Sequence, residues 1–101
     1  MGGFFEGVVT FANNGDRTRF RNACDSYVST WNSAHPTAQF TGTATNTTWV
    51  DQDTSANLRA VRLSYTNPSY DAVDEAQRVL YQDVNANAYL DIVSLSTGNT
   101  G

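Results

Sequence analysis

The chain has 101 residues, six arginines and no lysine, ten acidic residues and a formal net charge of −4. That length holds one domain with one core, and an apolar share of 40% excludes a disordered chain. The acidic balance argues against nucleic acid as a partner, and the absence of a long apolar run excludes a membrane-spanning helix.

The one cysteine, Cys24, has no second thiol to pair with, so nothing in the chain asks for an oxidising compartment. The opening MGGFFEGVVTFANNGD carries no basic segment followed by an apolar one, unlike a secretory leader. The expected setting is the cytoplasm, or a particle assembled there, for a soluble domain spanning residues 1–101.

Gly3 to Ala12 is rich in strand formers and ends at the turn-forming Asn13-Asn14-Gly15. Alternation places Phe5, Val9 and Phe11 on one face, with Phe4, Glu6, Val8 and Thr10 on the other. The period then changes. Phe20, Ala23, Cys24, Tyr27, Val28 and Trp31 form one helical stripe, capped by Asp16 or a neighbouring Asn and stopped between Asn32 and Thr37, where Pro36 falls. Gln39 to Val50 is a threonine-rich strand with Phe40, Gly42 and Ala44 facing one way and the odd-numbered threonines and Trp49 the other.

Asp51 to Asn57 is a polar connection, and Leu58 to Thr66 is a third strand with Val61, Leu63 and Tyr65 inward. Ser69 caps a second helix whose stripe is Val73, Ala76, Val79 and Leu80, with acidic residues near its start. Asn85 to Asn87 breaks it. Tyr89 to Leu95 is the last strand, and residues 96–101 are expected to fray.

The order β-α-β-β-α-β resembles the ferredoxin-like split β-α-β arrangement across nearly the whole chain. That resemblance implies an α+β two-layer sandwich: a four-stranded antiparallel sheet, first and third strands central, both helices on one face. The other face then stays bare. It is expected to carry Phe4, Glu6, Val8, Leu58, Ala60, Arg62, Tyr89, Val93 and Leu95, bordered by Trp49, an apolar mixture that calls for a cover. By shape the chain is similar to the dimeric α+β barrels, which pair sheet to sheet; some are monooxygenases, isomerases or decarboxylases acting in the enclosed cavity.

The leading expectation is therefore a non-catalytic domain that self-associates, most simply as a homodimer, through this face. The alternative is a barrel enzyme or small-molecule binder with Glu6, Arg62, Tyr89 and His35 around a cavity. Glu6 and Arg62 fall on adjacent strands and equally suit a structural cross-strand pair. His35 has no companion ligands for a metal and no nucleophile nearby in sequence.

Two smaller sites are legible. Asp83, Asn85, Asn87 and Asp91 sit at positions 1, 3, 5 and 9 of a loop that resembles EF-hand and dockerin calcium loops. Ala88 replaces the turn glycine and Ser94 the bidentate glutamate, leaving a donor set that binds calcium weakly; no other cofactor is expected. Arg17 and Arg21 lie at the start of the first helix, where anions bind, a faint resemblance to the anion cradle of acylphosphatases. The aromatic pair that RNA-binding ferredoxin-like domains expose is missing, since Leu58, Ala60 and Arg62 stand there.

Overall fold

The computed structural model describes residues 1–82 and 89–100. Six elements follow one another: β1 (Gly3–Phe11), α1 (Asn14–Ala34), β2 (Thr41–Val50), β3 (Asn57–Asn67), α2 (Tyr70–Gln82) and β4 (Tyr89–Asn99). The strands form one antiparallel sheet in the order β2-β3-β1-β4, so β1 and β3 are central and β2 and β4 are the edges.

Local chemistry sets the helix ends. Asn13 is extended and its side-chain oxygen accepts the Asp16 N–H at 2.8 Å, while its amide donates to the Asp16 carboxylate at 2.9 Å. This satisfies a donor of the first turn and puts a negative charge at the positive end of the helix dipole. At the far end the His35 N–H donates to the Trp31 carbonyl at 2.8 Å, and Pro36 follows. In α2, Ser69 Oγ accepts the Ala72 N–H at 3.4 Å.

Both helices lie on one face of the sheet and close the core there. Phe5, Val9, Phe11, Val61, Leu63 and Tyr65 point down from the central strands onto Phe20 and Cys24 of α1 and Val73, Ala76 and Leu80 of α2. Phe11 and Phe20 meet at 5.3 Å between ring centroids. Fully burying one such side chain stabilises the fold by about 1.5–3 kcal/mol. Two polar residues tie the helix layer to the chain beyond it. Asn32 grips the backbone of Phe40, accepting its N–H at 2.7 Å and donating to its carbonyl at 3.2 Å. Asn67 is 3% exposed; it donates to the Ala38 carbonyl and accepts from the Ser69 N–H.

The hydroxyl of Tyr65, a residue 3% exposed, is buried without a hydrogen-bond partner. An unsatisfied buried hydroxyl costs on the order of 1–3 kcal/mol. Tyr65→Phe is therefore expected to leave stability unchanged or raise it by up to about 1 kcal/mol, measured by urea unfolding. A loss larger than that would show that the hydroxyl has a partner.

Two features depart from the sequence expectations, both in β4. The strand runs on to Asn99, because the polar residues after Leu95 pair through their backbone with the start of β1: Glu6 with Ser96, Phe4 with Gly98 and Gly3 with Asn99. The second is the strand's register against β1, which shifts between Thr10 and Phe11 and again, at a bulge, between Val8 and Val9. Val8 pairs with Ser94 and Val9 with Ile92, leaving Val93 as an extra residue and resetting the alternation. Leu95 consequently lies opposite Gly7 and packs against the helix-side core instead of the open face.

Candidate functional site

The sheet face turned away from the helices is the surface that an element of the fold does not cover. Phe4, Glu6, Val8 and Thr10 of β1 alternate onto it, with Leu58, Ala60 and Arg62 of β3, as expected, and Ser64 joins them opposite Glu6. Trp49 borders them opposite Leu58. Ser94 and Ser96 of β4 sit beside Val8 and Glu6, and Val93 joins Thr10, Trp49 and Leu58 around a hollow. The backbone of Tyr89 pairs with Phe11; its side chain lies outside the described structure.

The face is apolar in composition but not an open oil surface. Val8, Ala60 and Thr10 are 2%, 0% and 0% exposed, closed over by longer neighbours although no helix lies above them. Phe4, Trp49, Leu58 and Val93 are half-buried, and Glu6, Arg62, Ser64, Ser94 and Ser96 are exposed. The ring of Phe4 lies over Gly98, where an added Cβ would come within 2.5 Å of it.

Two hollows mark the surface. A central one of about 290 Å³ is lined by Glu6, Val8, Arg62, Ser64, Ser94 and Ser96, and is mostly polar. A second of about 420 Å³, towards the connection between β2 and β3, is lined by Thr10, Trp49, Leu58, Ile92, Val93 and the acidic turn of Asp51 to Asp53. Asp51 is partly spent on that turn, accepting the Asp53 N–H at 2.8 Å and the Thr54 N–H at 3.3 Å.

Glu6 and Arg62 share the face but are diagonal neighbours: Glu6 is directly opposite Ser64, and Arg62 opposite Val8. Among the described residues the ion pairs are Arg19–Asp16 and Arg78–Asp74, so the expected Glu6–Arg62 bridge is not formed within the chain. His35 is elsewhere. It closes α1 in the helix layer, stacked on Trp31 at 3.7 Å with Nδ1 3.0 Å from the Trp31 carbonyl, on the other side of the sheet from Glu6 and Arg62. The cavity imagined around all three does not form in one copy.

The arginines of α1 are committed to the fold. Arg17 donates to the Thr47 carbonyl and to Asn14, and Arg21 donates to the Ala44 carbonyl at 3.3 Å, so both strap the helix to edge strand β2. The helix N-terminus already holds an anion of its own in Asp16, which Arg19 pairs at 2.9 Å. The loop expected to bind calcium, Asp83, Asn85 and Asn87 with the side chain of Asp91, lies outside the described residues. Among the described residues no group of three metal-binding side chains occurs. The Cys24 thiol is buried and held protonated, pushed up to about 12 by desolvation and then by the neighbouring Asp25 charge.

The element order, the sheet order and the one-sided helix layer define a ferredoxin-like α+β sandwich. No protein-family model matches the chain, and no curated protein matches it. Among solved structures it is similar to a dye-decolorizing protein from V. cholerae, with a TM-score of 0.65 and 12% identity over 97% of this chain. The chain spans 40% of that protein's length, and the likeness is one of fold. Among the described residues no helix is long and apolar enough to cross a membrane.

Proposed function

We propose that this domain is a non-catalytic assembly unit that pairs with itself through the open sheet face. The observation that carries the reading is the gathering of Phe4, Trp49, Leu58 and Val93, all large, apolar and half-buried, on the one face that neither helix covers. A domain of this size has little surplus stability, and burying that face against a second copy would supply more. The buried, unpaired Cys24 suits a cytoplasmic setting or a particle assembled there.

Size-exclusion chromatography with light scattering tests it, and twice the chain mass is expected at high micromolar concentration. A strict monomer at that concentration rejects the reading. A second reading, a small-molecule binder, is favoured by the hollow beside Trp49 and by the fold shared with a protein that acts on dyes. Titration with anilinonaphthalene sulfonate separates the two. Saturable binding with a change in Trp49 emission, abolished by Leu58→Asp, favours the binder; no saturable binding to the dimer favours the assembly unit.

A further inference from the structure

We infer that the occupant of the open face is a second copy turned by a two-fold axis, with Glu6 of each copy paired to Arg62 of the other. This rests on the self-association reading above and specifies its geometry.

The first ground is the state of the arginines. Arg17, Arg21 and Arg59 donate hydrogen bonds to carbonyl oxygens of the chain, and Arg19 and Arg78 pair with carboxylates. Among the described residues Arg62 has no such partner, and neither has Glu6. These two are the charged side chains that the central strands place on the open face. The chain carries a net charge of −4, whereas these two opposite charges at the centre of the face cancel, with the acidic Asp51 to Asp53 turn standing at its rim.

The second ground is where the pair sits. Glu6 is on β1 and Arg62 on β3, the two middle strands of the sheet. In a two-fold dimer each contact occurs twice, with the roles exchanged. Placing Glu6 against the partner's Arg62 requires the axis to lie between the sheets, perpendicular to the line joining the two residues and through its midpoint. That midpoint is the centre of the sheet, so the faces meet centre to centre instead of at a rim. With strands about 4.8 Å apart and a two-residue offset of about 6.8 Å along them, the strands of the two sheets cross at roughly 70°, near the orthogonal packing class.

The third ground is size and solvation. Four strands of nine to eleven residues give a face of roughly 650 Å² in projection, of which about 400 Å² is shared at that crossing angle, a compact contact beside the ~800 Å² of accessible surface per partner that stable interfaces bury. An ion pair taken out of water needs further hydrogen bonds to offset its lost hydration. The hydroxyls of Ser64, Ser94 and Ser96 line the central hollow together with Glu6 and Arg62 and are placed to provide them.

The test is a charge exchange read by native mass spectrometry and sedimentation velocity. Glu6→Arg alone and Arg62→Glu alone each set like charges against one another twice, and each is expected to weaken the dimer by about a hundredfold or more. Mixing the two single variants restores opposite charges at both contacts, so a heterodimer of the two masses is expected. The double variant Glu6→Arg/Arg62→Glu is expected to return to a homodimer. Both side chains are exposed, and circular dichroism checks that each variant is folded. A monomeric parent protein overturns the self-association reading itself. A dimeric parent whose single variants still dimerise, or whose mixture forms no heterodimer, overturns the Glu6–Arg62 pairing and leaves that reading standing.

Discussion

Replacing Gly7 by alanine is expected to destabilise the domain by about 3 kcal/mol, the sum of a strained backbone and a clash that cannot relax cheaply. Gly7 lies in the middle of β1 with φ at +156°, and a Cβ there would run into the backbone carbonyl of Ser94, 2.7 Å from its carbon and 2.8 Å from the Leu95 Cα. Those atoms belong to the strand that closes the sheet beyond the bulge, so relief means moving β4 away from β1. For a domain of this size the melting temperature should fall by more than about 10 °C. Gly42, with φ at +129° and the Ser64 carbonyl in the same relation, is expected to behave alike on the other side of the sheet. Calorimetry of both variants checks this. A change below about 1 kcal/mol in Gly7→Ala would mean that β4 is free to shift.

The second large effect is on the alkaline side. Cys24 is 0% exposed and its thiol is pushed up from 9.0 to about 12, by burial first and the Asp25 charge second. The unfolded chain releases this proton from about pH 9, whereas the folded chain keeps it until about pH 12. The folded state thus binds more protons across that window, and stability falls as pH rises. The slope reaches about 1.4 kcal/mol per pH unit, so roughly 3 kcal/mol is lost by pH 11. Tyr65 and Tyr27, both raised chiefly by burial, steepen the decline above pH 10. Urea midpoints measured from pH 7 to 11 should be flat at first and then drop. In Cys24→Ala the drop should begin about one pH unit later and be shallower; an unchanged limb would show that the thiol plays no part.

The layout of the fold was legible because the chain changes period cleanly. The stripe from Phe20 to Trp31 repeats every three to four residues and buries the side chains it selects, while Phe5, Val9 and Phe11 alternate and face the helices. The sequence failed where one strand lacks a single period. Nothing in YLDIVSL announces the bulge at Val93, since the pairing partner on β1 decides it, and Leu95 was therefore placed on the wrong side. The polar run after Leu95 looked frayed because side-chain chemistry says little about a strand held by backbone bonds to Gly3, Phe4 and Glu6.

The face itself was readable at the central strands, where Glu6 and Arg62 alternate as expected, but their separation was not. A diagonal offset depends on register across the sheet, which no single strand encodes. The hydrogen bonds of the α1 arginines are not legible in the sequence for a related reason. Their carbonyl acceptors, Thr47 and Ala44, are about thirty and twenty-three residues away along the chain.

The two tryptophans stand on opposite sides of the sheet, Trp31 stacked against an imidazole in the helix layer and Trp49 beside Leu58 on the uncovered side. The molecule thus carries a built-in optical gauge. Trp49 emission should move to shorter wavelength when its surroundings dry on dilution-reversible pairing, while Trp31 supplies a constant background, so association can be followed without a label.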